Sequence, residues 1–146
     1  MPGFIGKEIH SIDEKSRLMI PVKFRRKIDL SGDDKDLVLM KMPEGSLELY
    51  EPEAWEEKEK NLSQFSDFNP KDRMLVTFIY ESLEKVELDK QGRIVIPKEF
   101  LEHAKISKDV VIIGANKKMI IWEPERLRET LNQKAPDYET LTQRVF

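Results

Sequence analysis

The chain contains no cysteine, only two histidines and only six glycines among its 146 residues. Without cysteine there is no disulfide, no thiolate nucleophile and no zinc–thiolate cluster, which fits a reducing compartment. The histidines, His10 and His103, fall at unrelated places in the chain and offer little for an imidazole metal site or a catalytic base. No nucleophile elbow, phosphate-binding glycine loop or dinucleotide fingerprint occurs, so neither enzyme chemistry nor a cofactor is expected. No apolar run approaches the roughly 20 residues of a membrane-spanning helix. The opening Met1-Pro2-Gly3-Phe4-Ile5-Gly6-Lys7-Glu8 lacks the basic stretch and apolar run of an export signal. The expectation is a soluble, cytoplasmic protein with no metal, no membrane partner and no small-molecule substrate.

What the sequence does have is a repeat. Asp13-Glu14-Lys15-Ser16-Arg17-Leu18-Met19-Ile20-Pro21-Val22-Lys23-Phe24 returns as Asp89-Lys90-Gln91-Gly92-Arg93-Ile94-Val95-Ile96-Pro97-Lys98-Glu99-Phe100. Asp, Arg, Ile, Pro and Phe hold their places, and the duplication runs on: Leu49-Tyr50-Glu51-Pro52-Glu53 is answered by Ile121-Trp122-Glu123-Pro124-Glu125. A block repeated at constant internal spacing is a structural unit.

Each residue type in the block has a local task. Asp first and Gly fourth in Asp89-Lys90-Gln91-Gly92 suit a type I turn, with the Asp carboxylate accepting a backbone N–H inside it. Three successive apolar residues after each Arg predict a short strand buried on both faces. Pro21 and Pro97 then stop that strand and fit the first position of a helix, over Val22–Ile28 in the first copy and Lys98–Ala104 in the second.

Charge separates along the chain. Lys7 to Lys27 holds seven basic residues against three acidic, a balance of +4, whereas Glu44 to Glu59 holds seven acidic residues against Lys58, a balance of −6. The overall −3 therefore hides a basic first copy, and it is the local field that governs approach to a polyanion.

In order, the pattern predicts a strand over Phe4–Ile12, the turn, a strand over Arg17–Ile20 and a short helix. A hairpin of Leu37–Met42 with Ser46–Tyr50 follows, then a helix from Pro52 that turns Trp55 and Leu62 toward a core or a neighbour. Asn69-Pro70 starts a helix that is apolar nearly all round through Met74, Leu75, Val76, Phe78, Ile79 and Tyr80, and so is expected to be buried on more than one side, with Phe78 and Ile79 at an oligomer interface. The second half repeats the first with strands over Leu83–Leu88, Arg93–Ile96, Val110–Ile113 and Met119–Trp122, then a helix over Glu125–Asn132, and Ala135-Pro136 marks a break before the tail. The resulting division is a first half-unit at 1–66, a connecting helix at 67–82, a second half-unit at 83–134 and a C-terminal tail at 135–146.

The Asp-x-x-x-Arg block with its apolar triplet, Pro and short helix resembles the AbrB-type DNA-binding half-unit, and two copies in one chain resemble the MraZ family from about Phe4 to about Leu131. Two positions depart from that pattern: Ser16 stands where Gly92 keeps the turn glycine, and Ile5 stands where a basic residue is often found. The resemblance implies an α+β fold, a single pseudo-two-fold domain with a duplicated AbrB/MraZ-like β-barrel-type core and short helices. It implies a repressor of the division and cell-wall gene cluster, associated with the nucleoid, whose ring-shaped homo-oligomer meets direct repeats in promoter DNA.

Arg17 is then the foremost DNA-binding candidate, with Arg25 and Arg26 in the place of the basic pair that often contacts DNA in AbrB-type domains, and Lys7, Lys15 and Lys23 as generic phosphate contacts. The plainer alternatives are a turn pair of Arg17 with Asp13 and a solvated helix face for Arg25-Arg26. Arg93 is discounted to a secondary contact or a structural partner of Asp89, because the charges of its own copy sum to zero between Glu84 and Glu99. A rival function of a different class is an oligomeric scaffold that binds DNA weakly or not at all.

Overall fold

The computed structural model describes residues 3–146. The elements follow in the order β1 (Phe4–Ser11), β2 (Arg17–Met19), α1 (Val22–Arg25), β3 (Leu37–Lys41), β4 (Leu47–Tyr50), α2 (Pro52–Leu62), α3 (Pro70–Glu81), β5 (Leu83–Val86), β6 (Arg93–Val95), α4 (Lys98–Ala104), β7 (Asp109–Asn116), β8 (Lys118–Trp122) and α5 (Pro124–Leu141), with a 3₁₀ turn at Thr142–Arg144. The duplicated sequence is thus a duplicated structure, with α3 inserted between the copies.

The copies are interlocked. Six strands form an antiparallel sheet in the order β1-β7-β8-β4-β3-β5, which reads the same from either end once the two copies are treated as equivalent. β1 of the first half pairs with β7 of the second, from Phe4 opposite Asn116 to Ser11 opposite Asp109, while β5 of the second half pairs with β3 of the first. The β4–β8 pair lies across the pseudo-axis, and so does a separate two-stranded ribbon of β2 and β6. Each half therefore lends its first strand to the hairpin of the other.

The expected barrel-type closure is absent. The sheet is open, with β1 and β5 as its edges, because β2 and β6 are three residues long and spend their hydrogen bonds on each other. The ribbon packs on one face of the sheet. Leu18, Ile20, Ile94 and Ile96 from and beside it, Phe24 and Phe100 from the following helices, and Leu39, Leu49, Ile112 and Ile121 from the sheet make the main core. Each such side chain contributes on the order of 1.5–3 kcal/mol by leaving water. On the opposite face Val38, Tyr50 and Trp55 form a smaller cluster, joined by Met40, Ile79 and Leu83.

Several other expectations change. The strands after the turns are not buried on both sides: Leu18 and Ile94 face the core, but Met19 is half-buried and Val95 is 55% exposed, because a lone ribbon has only one covered face. Pro21 and Pro97 are the N-caps of α1 and α4 rather than their first residues, and α1 ends at Arg25. The Pro21 carbonyl accepts from the N–H of both Phe24 and Arg25. Leu62 is only half-buried. Helix α3 is capped as predicted, Asn69 accepting from the N–H of Lys71 at 2.9 Å, but none of its residues is buried. The break at Ala135-Pro136 does not occur, since α5 runs through Pro136 to Leu141. From Leu131 to Leu141 the helix is exposed, so the carbonyl that Pro136 leaves unpaired faces water rather than a dry interior.

Candidate nucleic-acid interface

The two turns are superimposable in their bonding. In the first, Ser16 N–H donates to the Asp13 carbonyl at 3.0 Å and Asp13 N–H to the Arg17 carbonyl at 3.0 Å. Asp13 Oδ1 accepts from the N–H of Lys15 and of Arg17, both at 2.9 Å, and Oδ2 accepts from Arg17 Nε at 2.6 Å. In the second, Gly92 N–H donates to the Asp89 carbonyl at 3.0 Å, Asp89 Oδ1 accepts from Gln91 N–H at 2.9 Å and Arg93 N–H at 2.8 Å, and Oδ2 accepts from Arg93 Nε at 3.0 Å. The fourth position is left-handed in both, with φ of 62° at Ser16 and 84° at Gly92.

These bonds fix the electrostatics. The backbone N–H of Arg17 first, and its guanidinium next, hold the Asp13 carboxyl down at about 2. Asp89 is lowered for the same reasons, the backbone N–H of Arg93 leading. Each carboxylate thus stays ionised and grips its Arg through Nε. The terminal nitrogens of both guanidinium groups make no hydrogen bond among the described residues.

The ribbon register brings the two turns together. Arg17 lies opposite Val95 and Met19 opposite Arg93, so Arg17, Met19, Val95 and Arg93 share the outer face, while Leu18 and Ile94 point inward. The pairing is extended by Ile20 N–H to the Gly92 carbonyl and Ile96 N–H to the Ser16 carbonyl, each at 2.9 Å. The ribbon thus carries two arginines on one outward face, and a two-stranded ribbon is of a size that a DNA major groove admits.

The strand exchange also relocates the basic helix. Arg25 Nε donates to the Ile20 carbonyl at 2.9 Å, and Arg25 Nη1 reaches the Gln91 carbonyl at 3.5 Å. Arg25 of the first copy therefore stands beside the turn of Arg93, not that of Arg17. The charge near Arg93 is therefore not set by its own copy alone. The counterpart of Arg25 beside the first turn is Leu101, which packs on the core, and the counterpart of Arg26 is Glu102.

The other candidates separate. Lys15 is exposed at the tip of the first turn and Arg26 is exposed on α1. Lys23 is partly engaged, its Nζ 3.5 Å from Glu8 Oε2 and 5.4 Å from the Phe24 ring centre. Glu8 in turn is held below the usual carboxylate range, by the His10 ring first and Lys23 next. Lys7 is not part of this group. It pairs opposite Ile113 on the sheet face away from the core, whereas the ribbon lies over the core face. Ile79 joins the small cluster of its own chain while Phe78 is 65% exposed, so these two residues do not share one outward interface. Sequence reasoning missed Met19 and Val95 as ribbon-face residues, a role whose only signal was that a strand paired on one side cannot be covered on both faces.

Among the described residues no three His, Asp or Glu side chains converge as a metal site would, and no helix is long and apolar enough to cross a membrane.

The family described as "MraZ protein, putative antitoxin-like" matches the chain twice, over residues 4–78 and 80–146. The chain belongs to the MraZ family. Relatives at full coverage of both chains include the proteins named transcriptional regulator MraZ of Chlorobium phaeobacteroides, 55% identical, Chlorobium limicola, 53% identical, and Prosthecochloris aestuarii, 51% identical. The two family matches divide the chain as its repeat does, one copy beginning at Phe4 and the next at Tyr80. Transcriptional regulators are not a class of enzymes, and this MraZ-family chain is not one.

Proposed function

We propose that this chain is a DNA-binding transcriptional regulator that reads duplex DNA with the β2–β6 ribbon. The observation that carries this reading is the common outward face of Arg17 and Arg93, each guanidinium pre-oriented by a carboxylate and flanked at the second turn by Arg25. In the family context the finer reading is a repressor of the division and cell-wall gene cluster, cytoplasmic and nucleoid-associated. Its homo-oligomer, a closed ring, engages several short direct repeats in a promoter. One ribbon offers only a few basic contacts, so tight binding requires several linked subunits on several repeats.

Mobility shift with probes of one, two and four direct repeats, each at two salt concentrations, tests this. Affinity should rise steeply with repeat number, and the salt dependence should steepen by about 0.9 for each further phosphate neutralised. Equal affinity across the probes would defeat the multivalent reading. No binding to any of them would leave a scaffold, the alternative favoured by the exposed apolar face of α3.

A further inference from the structure

The face of the sheet turned away from the ribbon carries a cleft of about 650 Å³. Its floor is Val38 of β3 and Lys85 of β5, which lie opposite each other in the register, and its walls are α2 and the loop at 29–34. Six carboxylates line it against one cation, Lys85. Three of the six are bonded within the chain: Asp34 Oδ2 accepts from Lys85 Nζ at 2.9 Å, Glu59 Oε2 from the Tyr80 hydroxyl at 2.8 Å and Asp29 Oδ1 from Ser31 N–H at 2.9 Å. Asp33, Glu53 and Glu56 are exposed and make no hydrogen bond or ion pair among the described residues. The field of the cleft favours positive charge, since Asp34 first, and Asp36 and Glu59 after it, hold the Lys85 ammonium above the ordinary lysine range.

Trp55 adds a donor. The residue is only 9% exposed, its ring packed on Val38 and on Tyr50, whose ring centre is 5.8 Å away. Its indole Nε1 makes no hydrogen bond among the described residues, yet no buried side-chain nitrogen there lacks a partner, so the N–H is open to water where Trp55 lines the cleft. A buried indole ordinarily gives its N–H to an acceptor. The second copy shows that the fold does not require these groups. Leu127 and Arg128 stand where the first copy has Trp55 and Glu56, Lys105 stands for Asp29, and Asp33 and Asp34 fall in a loop that is shorter in the second copy.

The donor and the acids together narrow the occupant. Free carboxylates attract cations and repel any phosphate or carboxylate that could accept from the indole. The acceptor is therefore neutral. A main chain carrying Lys or Arg supplies both parts, carbonyl oxygens and positive side chains, whereas a protonated polyamine has the charges and no acceptor.

We infer that this cleft binds a basic segment of another protein, its Lys or Arg side chains meeting Asp33, Glu53 and Glu56 and one of its main-chain carbonyls accepting from Trp55 Nε1. The site goes beyond the function proposed above and lies on the opposite face of the sheet from the ribbon, so DNA and a basic polypeptide do not compete for one surface.

The test titrates the full chain in a calorimeter with the tripeptide Arg-Lys-Arg, acetylated and amidated at its ends, and with spermidine, which has equal charge and no carbonyl. The peptide should bind more tightly than spermidine. Glu53→Gln together with Glu56→Gln should weaken it by about fivefold or more, while Glu129→Gln, at an exposed acid of α5 outside the cleft, should leave it unchanged. Trp55→Phe keeps a ring and removes the N–H, and should weaken the peptide by about two- to tenfold without altering spermidine. Circular dichroism reports the fold of each variant, and the Gln substitutions, at exposed positions, decide the matter alone where Trp55→Phe unfolds. No binding of the peptide, spermidine binding as tightly as the peptide, or equal losses from Glu129→Gln and the double variant would each overturn the inference. The titrations contain no DNA, so failure of the DNA experiment above would leave their result standing.

Discussion

Arg25, from the first copy of the repeat, closes over Gly92, from the second. A Cβ at position 92 would stand 2.3 Å from Arg25 Nη1 and 2.4 Å from its Cδ, so any side chain there would displace Arg25 as well as adopt a φ of 84° that favours glycine. The relationship exists only because the halves exchange strands, which lays the end of β2 and the start of α1 against the turn before β6. It makes the second turn the more basic end of the ribbon.

DNA affinity should therefore respond to Arg93 and Arg25 at least as strongly as to Arg17. Charge-assisted hydrogen bonds contribute about 1.5–3 kcal/mol, so Arg93→Ala and Arg17→Ala should each weaken binding by roughly ten- to a hundredfold per engaged subunit. Arg25→Gln should also lower the salt slope by about 0.9 for each phosphate lost. Titration at several salt concentrations checks this. Full affinity in Arg93→Ala beside a large loss in Arg17→Ala would return the reading head to the first turn alone.

The equivalent positions Ser16 and Gly92 should respond in opposite directions. Gly92→Ala puts a Cβ into a left-handed residue and onto Arg25, and should cost about 1–2 kcal/mol or more in chemical denaturation. Ser16→Gly relieves a left-handed serine at the expense of chain entropy, so it should change stability by less than about 1 kcal/mol, in the stabilising direction. A destabilised Ser16→Gly would mean that the serine side chain supports the turn.

Much of this was legible because it is local. Asp, Gly, Arg and Pro at fixed offsets determine a turn, a ribbon strand and a helix start whatever surrounds them, and Asn69-Pro70 caps α3 for the same reason. The pairing of β1 was not legible. The strand could have joined β3 of its own half or β7 of the other, and alternation of apolar residues is the same in both. From that ambiguity came the copy-by-copy charge sums, whereas the barrel-type core was what the family resemblance implied. The one-sided burial of α3 and the uninterrupted α5 escaped for another reason: an apolar helix face signals contact without saying whether the partner belongs to the same chain.

Phe78 and Ile79 are adjacent in sequence and should behave differently. Ile79 packs into its own chain, so Ile79→Ala should lower stability by about 1–2 kcal/mol, less than the 2–5 kcal/mol of a fully buried isoleucine. Phe78→Ala should leave the stability of the monomer unchanged while reducing assembly. Denaturation at a protein concentration where the chain is dissociated separates the two effects. Equal losses from both would place them in one core.

Acid should release the turns. Asp13, held near 2, and Asp89, also lowered, are bonded as carboxylates in the folded chain more tightly than in the unfolded one. A depressed carboxyl contributes its stability above the ordinary carboxylate range and loses it as pH falls from about 4 toward about 2. Asp13→Asn keeps the shape but removes the charge, and should lower the melting temperature by a few degrees at pH 7. The gap to the wild type should narrow steadily below pH 4 in a melting series. A gap that is constant with pH would mean that the turn does not use the charge.

The exchange of strands bears most directly on whether either half can stand alone. If residues 1–66 were a self-sufficient unit, β1 would find a partner among its own strands, yet its eight residues pair only with β7, and β2 pairs only with β6. Cut from its companion, the first half presents unpaired edges on β1, β2, β3 and β4 and exposes Leu18, Ile20 and Phe24 from the shared core. It should have no folded monomeric form. Because the sheet order is palindromic, two copies of 1–66 can rebuild the same pairing as a homodimer, β1 on the partner's β3 and β2 on the partner's β2, while separate 1–66 and 67–146 fragments should combine into the native arrangement. Sedimentation and amide-proton dispersion in NMR on the fragments, alone and mixed, decide the matter. A well-dispersed spectrum from monomeric 1–66 would refute the exchange, whereas folding only on dimerisation or on mixing would follow from it.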